Sequence, residues 1–457
     1  MTRTQTIQTG AVVTLAFSVV VGCERDTTGL EPAPGNTDPI VFTDDFGDAV
    51  DYQAFLGSNL EAVSVDPTRK YQGFASLKIS VPDPGDPEGG WAGGAFTTRF
   101  ARELSGYNAL TFWARSSIAS TLDIAGFGND NTGFSKYEAS WSNIPLTDEE
   151  WTKYVIPIPL PEKLAAERGL FFLAEGPEGS TGHDVWFDDV MFETVATISD
   201  PRPAMASKTI NTFAGATIEI EGTQVVFNVD GTDQVIQHLP GYFDFESSNE
   251  SVATVVDGKI RVLDAGVATI KAKLDTLDAL GGVTVFAVAP PPTAPTPPTL
   301  PAADVISLFS NAYRNVTVDT WSADWDVADV TDFQIAGDDV KAYSNFQFAG
   351  IEFASQTIDA TEMTHFHIDV WVPDDGTVFR VKLVDFGANG VFGGGDDSEH
   401  EIAFTASSTP PLANETWIAL DIPLADFTRL MSREHLAQLI LSGNPSKVYV
   451  DNIYFHK

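Results

Sequence analysis

Short apolar runs that alternate with polar positions recur along most of the chain, separated by breaks rich in Gly, Pro, Asn and Asp. ASLKISV (75–81), ALTFWARSS (109–117), LDIAGFG (122–128), KYVIPIPL (153–160), LFFLAEG (170–176) and DVWFDDVMFETV (184–195) have the period of two that places alternate side chains on opposite faces of a strand. They are rich in β-branched and aromatic residues and follow one another at short spacing, the pattern of an all-β sandwich or barrel. Only PEKLAAER (161–168) has helical character. Farther on, SSNESVATVVDGKIRVLDAGVATIKAKL (247–274) reads as two alternating strands joined by Asp257-Gly258, a strong two-residue hairpin signal. APPPTAPTPPTLPAA (289–303) has no such period; proline density makes it an extended, semi-rigid spacer of about 3.1 Å per residue.

The text around that hairpin resembles the bacterial Ig-like (Big) domains. Ser247-Ser248-Asn249, Ser251 to Val255 and Gly266 to Ile270 match their pattern in order, with Phe245 where Trp or Tyr is usual. The resemblance implies an Ig-like sandwich over 200–288 that acts as a rod.

The segment after the spacer repeats the grammar of the first. Phe42-Thr43-Asp44-Asp45-Phe46 is echoed by Phe309-Ser310-Asn311-Ala312-Tyr313, and Thr111-Phe112-Trp113-Ala114 by Asp369-Val370-Trp371-Val372. WTKYVIPIPL (151–160) is echoed by WIALDIPL (417–424), and VWFDDVMF (185–192) by VYVDNIYF (448–455), with nearly equal intervals between the echoes. Two diverged copies of one sandwich are expected, at 39–198 and 304–457. Within the opening stretch 304–326 of the second copy, Thr320 to Asp326 has no counterpart in the first. The acidic opening, the Trp-x₄-Ile-Pro strand and the closing hydrophobic-Asp-Asp/Asn-hydrophobic strand resemble the galactose-binding-like, jelly-roll carbohydrate-binding modules found beside bacterial glycoside hydrolases. The last copy looks especially like the C-terminal modules of laminarinase-type proteins of marine Bacteroidota. The expected fold is thus all-β: jelly-roll β-sandwich, Ig-like β-sandwich and jelly-roll β-sandwich in tandem.

Charge narrows the partners. Lys and Arg total 26 against 64 Asp and Glu in 457 residues, a formal net charge of −38. Nucleic acid and anionic lipid headgroups would be repelled, whereas neutral polymers and cations would not. The N-terminal residues 1–23 read as a targeting segment, with Arg3 followed by the short apolar run GAVVTLAFSVVVG. Val20-Val21-Gly22-Cys23 resembles a lipobox, which implies lipidation of Cys23, the one cysteine in the chain. Residues 24–38 then form a tether. The expected address is the cell surface, as an outer-membrane lipoprotein held by its lipid alone.

Candidate chemistry is sparse. Trp321 and Trp325 stand four apart in a segment dense in Asp, Ser and Thr, and flat amphipathic rings there suit the apolar faces of sugars. Each ring could instead plug the bottom of the sandwich. Trp91, between glycines on the loop VPDPGDPEGGWAGG, is either a binding ring or a lid. His365 and His367 alternate on HFHIDVW and face one side with Asp369, where they would hydrogen-bond a glycan rather than hold zinc; Trp371 points to that side or to the core. The family resemblance implies a structural calcium clipping first strand to last, with Asp188 and Asp451 from the closing strands, Asp44 or Asp45 from one opening strand, and Asn311 with Asp319 from the other. The loop DFGANGVFGGGDDSEHE (385–401) carries Asp396 and Asp397 and suits a second calcium, a sugar contact or plain solvent. Trp151 and Trp417 are expected to be structural.

A glycosidase needs two carboxylates held about 5–10 Å apart. The chain has no Glu-x-Asp-x-x-Glu strand, nucleophile elbow, phosphate loop or HExxH motif. The expectation is a monomeric, non-catalytic polysaccharide-binding protein, with a β-glucan such as laminarin as ligand, working beside an outer-membrane glycan importer and glycoside hydrolases. A calcium-dependent adhesive lipoprotein is the alternative, and a hydrolase without a recognisable motif the remaining one.

Overall fold

The computed structural model describes residues 35–373 and 376–457. Cys23, the targeting segment and most of the tether lie outside the described residues. The described chain is all-β: thirty strands and five short 3₁₀ turns, with no α-helix among them. The helical reading of 161–168 is met only by the 3₁₀ turn Pro161–Leu164, after which Glu167–Glu175 is already strand.

The first module is a jelly-roll sandwich of two antiparallel sheets. One sheet runs Val63–Asp66, Ser76–Val81, His183–Glu193, Ala109–Ser116, Thr152–Pro157, with Ile40–Phe42 added against His183–Glu193. The other runs Val50–Ala54, Ala92–Arg102, Glu167–Glu175, Ser120–Phe127, Ala139–Leu146. Between them Phe96, Phe112, Phe171 and Phe187 are fully buried, with ring centroids 5.4–5.8 Å apart. Burying each such ring contributes about 1.5–3 kcal/mol.

The last module repeats this pairing strand for strand. Val327–Ile335, Asp338–Glu352, Val448–His456, His365–Trp371 and Trp417–Pro423 form one sheet, with Val305–Phe309 added against Val448–His456. The second half of Asp338–Glu352 continues into the other sheet, beside Leu436–Gly443, Phe379–Asp385 and Ser398–Phe404. One bent strand does here what Ser76–Val81 and Ala92–Arg102 do separately in the first module. Thr320 bridges Glu352 where Val50–Ala54 pairs with Ala92–Arg102, so the segment that looked unmatched in sequence does have a topological counterpart.

Register corrects one of the four echoes. Phe42 pairs with Val190 and Phe309 with Ile453, each two residues beyond its closing-strand aspartate. Lys153 and Ala419 lie across from Trp113 and Asp369, which aligns Trp151 with Trp417. However, Asp188 faces Trp113 whereas Asp451 faces Asp369, so Trp113 corresponds to Asp369 and not to Trp371. Both closing strands bulge beside the aspartate, and the next residue takes a left-handed backbone, φ 46° at Asp189 and 49° at Asn452. Short polar side chains tolerate that region best.

The middle segment is a smaller sandwich. Asp257-Gly258 closes a hairpin at φ 50° and 74°, as its sequence predicts. Its long strand Ile198–Phe213 runs parallel to Leu280–Val288. It is not a free rod. Thr232–His238 pairs with Ala139–Leu146 through Gln237 and His238, joining it to the first module's second sheet. The fully buried Tyr242 donates its hydroxyl to the Tyr137 carbonyl at 2.8 Å. On the other side Phe213 and Val288 pack against Val340, Trp371 and Tyr449 of the last module. The Phe213 and Tyr449 rings are 4.5 Å apart. The proline-rich segment straps this junction: Trp417 Nε1 donates to the Thr293 carbonyl at 2.7 Å and Tyr313 Oη to that of Leu300 at 3.1 Å. It separates domains in sequence but lies along the last module in space.

Phe213→Ala should open this second junction, at a cost of about 3 kcal/mol. Calorimetry should then resolve a separate, earlier transition for the last module; a melting profile identical to the parent chain would show that the junction is not a mechanical link.

Candidate binding faces on the two jelly rolls

Each jelly roll leaves the outer face of its second sheet uncovered, and each lays a tryptophan on a glycine there. In the last module Ala349 and Ile351 point into the core, so Phe348, Gly350 and Glu352 point outward. A Cβ on Gly350 would lie 2.3–2.5 Å from the six-membered ring of Trp325. That ring therefore rests directly on the bare backbone, and only glycine permits the approach. Trp325 runs nearly parallel to Phe348, at 6.2 Å and 20°, and its Nε1 donates to Glu352 Oε1 at 3.1 Å. Gln438 Nε2 donates to the same oxygen at 2.9 Å. The indole is thus fixed in plane yet 46% exposed. Farther across the face Lys382 is paired with Glu399 at 3.1 Å and Arg380 with Glu401 at 3.4 Å.

The neighbouring candidate has a different role. Trp321 is half-buried, with Phe309 edge-on at 5.5 Å and Lys341 Nζ 4.7 Å above its ring, and it packs against the core. It closes the end of the sandwich. Of the two tryptophans four apart, only Trp325 presents a platform.

In the first module Ala92 and Phe96 are core, which turns Gly93, Ala95 and Thr97 outward. A Cβ on Gly93 would lie 2.7 Å from the Trp91 ring. Trp91 is half-buried and neighbours Phe55 at 6.4 Å, which in turn neighbours Phe172 at 6.5 Å. Beside this aromatic end a groove of about 330 Å³ runs past Asp51, Gln53, Thr97, Arg99, Asp130 and Arg168. Sequence reasoning missed every one of these polar residues, because each looks like an ordinary solvated strand position until the sheet gathers them. On the strand that carries Arg168, the preceding residue Glu167 is buried. Burial pushes its carboxyl up to about 7, against the N–H donations of Gly169 and Arg168 at 2.9 and 2.8 Å.

The remaining candidates fall elsewhere. His365 and His367 lie on the outer face of the other sheet, away from Trp325. His365 stacks on His456 at 5.1 Å and His367 on Tyr454 at 4.6 Å. Asp421 Oδ1 lies 2.8 Å from His456 Nε2 and 3.3 Å from His367 Nδ1. Trp371 is buried in the junction with the middle module, beside Trp417 at 5.9 Å. Asp396 and Asp397 bind their own loop: Asp396 accepts from Asn389 N and Nδ2, and Asp397 Oδ2 accepts from Gly393 N at 2.8 Å, while Asp397 Oδ1 is buried without a partner.

Among the described residues, no group of three or more His, Cys, Asp or Glu side chains is placed to hold a metal ion. The expected calcium ligands differ between the modules. Asp44 Oδ1 accepts from Phe74 N and Ala75 N; Asp188 accepts from Tyr71 N, Gln72 N and Asp189 N. In the first module the chain's own amides already satisfy the two carboxylates. Asp319 is engaged by Ser355, and Asn311 is exposed on the opening turn. Among the closing-strand and opening-strand ligands Asp451 differs. It is fully buried, Oδ1 accepts only from Asn452 N at 2.6 Å, and Oδ2 has no partner. Burial, with Asp338 and Asp369 nearby, pushes its carboxyl up to about 8. That orphaned oxygen fits a cation.

No protein-family profile matches the chain, and no curated protein matches it. Among solved structures it is similar to the family 30 carbohydrate-binding module of a cellulosomal cellulase of Clostridium thermocellum, at 17% identity over 35% of this chain and 98% of that one, with a TM-score of 0.26. It is also similar to the family 11 carbohydrate-binding module from the same organism in complex with a β-1,3-1,4-mixed-linked tetrasaccharide, at 16% identity over 34% and 95%, with a TM-score of 0.24. The tandem CBM22-1–CBM22-2 domain of Paenibacillus barcinonensis Xyn10C covers more, 93% of this chain and 99% of that one, at 10% identity and a TM-score of 0.23. Overlaps this loose carry no argument, and the jelly-roll assignment rests on the strand pairing above.

The folded chain holds the Glu167 proton more tightly than the unfolded chain does. Its contribution to stability is therefore full below about pH 4.5 and lost as the pH rises through about 7. Glu167→Gln keeps an acceptor for both N–H groups and has no charge to bury. It should raise stability at pH 8 by about 2–3 kcal/mol and leave it unchanged at pH 4; denaturant titrations at the two pH values check this.

Proposed function

We propose that this is a non-catalytic polysaccharide-binding protein that stacks a β-glucan such as laminarin on the outer face of its last module. The observation that carries the reading is Trp325: an indole packed directly against Gly350, fixed through Nε1 to Glu352 and still 46% exposed. The apolar C–H face of a β-linked pyranose complements such a ring. Glu352, Gln438 and Lys382 around it supply acceptors and donors for equatorial hydroxyls. The cations on this face are already paired with Glu399 and Glu401, which favours a neutral glycan. The two carboxylates are held in those ion pairs, which supports binding without chemistry.

The sequence supplies the rest of the proposal. Lipidation at Cys23 would hold the protein at the outer-membrane surface, where it would retain glycan for an importer and for hydrolases that act on it. A calcium ion at Asp451 would neutralise the buried carboxylate and tie the closing strand to its neighbours.

Trp325→Ala should lose about 2 kcal/mol of binding, roughly thirtyfold in affinity, without lowering the melting temperature. Affinity electrophoresis in laminarin gels reads this directly, and unchanged mobility of the variant would remove the site. Trp321→Ala should instead lower the melting temperature. No retardation of the parent chain in laminarin, mixed-linkage glucan or xylan would sink the function itself, and release of reducing ends from a retained glycan would overturn its non-catalytic part. For the cation, added calcium should raise the melting temperature of the parent chain and leave that of Asp451→Asn unmoved.

A further inference from the structure

Arg99 and Arg168 stand out in a chain that holds 64 acidic against 26 basic side chains. In the first module Lys78, Arg102, Lys136, Lys153 and Lys163 each lie within 4.0 Å of a carboxylate. Among the described residues of this module, Arg69, Lys70, Arg99, Arg115 and Arg168 pair with none; Arg69 lies over the Trp186 ring, Lys70 donates to the Pro67 and Phe74 carbonyls and Arg115 to that of Asp148, and of the five only Arg99 and Arg168 line a common groove. Both are exposed, both line the groove on the outer sheet face, and they stand together: Arg168 Nη2 donates to the Arg99 carbonyl at 2.8 Å. The Arg99 guanidinium lies 5.8 Å over the ring of Phe100. The acids of the same groove form no ion pair with them. Asp130 Oδ1 is turned into its own loop, accepting from Thr132 N, Thr132 Oγ1 and Ser135 Oγ. Asp51 lies exposed on the neighbouring strand and forms no ion pair with either arginine.

Two arginines line one groove and neither is held in an ion pair, which leaves their N–H donors open to a bound anion. Each presents a planar fork of N–H donors that matches the oxygens of a carboxylate or sulfate. Gln53 and Thr97 lie beside them, hydrogen-bonded to each other at 3.3 Å, with Thr132 opposite. These are neutral groups suited to sugar hydroxyls. The groove volume of about 330 Å³ is at the low end for small-molecule sites, so it takes about one or two sugar rings. Trp91 and Phe55 continue the same face with apolar surface.

We propose that this groove is a second glycan site, selective for a saccharide unit that bears an anionic group, a carboxylate or a sulfate ester, held between Arg99 and Arg168. The inference goes beyond the reading of the last module and stands without it. The Trp325 face has its cations paired and takes neutral glycan; the first module has free cations and takes an acidic one. The chain would then hold two chemically distinct regions of one polysaccharide, or two polysaccharides, through packed junctions.

The test uses the whole chain in affinity electrophoresis and calorimetry, with oligogalacturonate as the carboxylate probe, λ-carrageenan as the sulfate probe and laminarin as the neutral one. Binding of either acidic probe is expected, and which of the two binds identifies the anion. The affinity should fall at high salt and drop roughly tenfold or more in the Arg99→Ala/Arg168→Ala variant. Both arginines are exposed, so that variant should keep the parent circular dichroism and melting temperature. It should also bind laminarin as the parent does, while Trp325→Ala should show the reverse pattern. Arg99→Lys/Arg168→Lys should recover only part of the acidic binding, because lysine keeps the charge and loses the fork. Failure of both acidic probes to bind, or equal binding by the parent and the double-alanine variant, overturns the proposal. Failure of laminarin alone overturns the Trp325 reading and leaves this one standing.

Discussion

A buried carboxylate at the bulge of each closing strand is the constraint around which both jelly rolls are arranged. The closing strand is the hub of its sheet, paired on both sides and with the opening strand added at its end. A bulge there bends the strand and turns its aspartate inward, where an uncompensated charge costs several kcal/mol. The two modules meet that cost differently. In the first, the loop before Ser76–Val81 folds over Asp188 and supplies the amides of Tyr71 and Gln72. In the last, the corresponding connection is the tight turn at Ala336-Gly337 between Ile335 and Asp338, too short to reach, and Asp451 Oδ2 is left without a donor. Loop length therefore decides whether the carboxylate is satisfied by the chain itself or left open to a cation.

The same difference in connection shapes the binding faces. The first module breaks the sheet-crossing strand with the loop that carries Trp91, so its tryptophan arrives from the sheet edge and is half covered by Phe55. The last module runs straight through from Asp338 to Glu352 and leaves the face bare, so Trp325 arrives from the separate segment after Thr320 and remains open. A shared scaffold with different loops gives one aromatic platform and one polar groove.

Much of the fold was legible in the sequence because strand period and closing motifs are local. The period of two set the all-β class, and the Asp-Asp and Asp-Asn pairs marked the two closing strands, which prove to bulge at the same register. What failed was judgement about aromatic rings. Trp113 and Trp371 both end a short apolar run and look equivalent, but the pairing offsets them by two residues. Trp321 and Trp325 looked alike in a polar segment, yet one meets the core and the other meets Gly350. Side-chain fate depends on which glycine or which core end lies across the sheet, and that partner is distant in sequence. The same limit hid the groove of Arg99 and Arg168, whose members come from four separate strands and loops.

The packed junctions change what the three sandwiches can do together. Domains on a flexible spacer sample many separations, and a second binding event then depends on the linker's effective concentration. Here Tyr242 is buried against the first module, and Phe213 meets Tyr449 of the last, while the proline strap lies along its surface through Trp417. The two outer sheet faces are consequently held at a set spacing and orientation. A polysaccharide long and stiff enough to match that spacing would gain both sites with little further entropy cost, and one that did not match would engage only one. Selection would then act on the order of neutral and acidic segments along a glycan as well as on the chemistry of each.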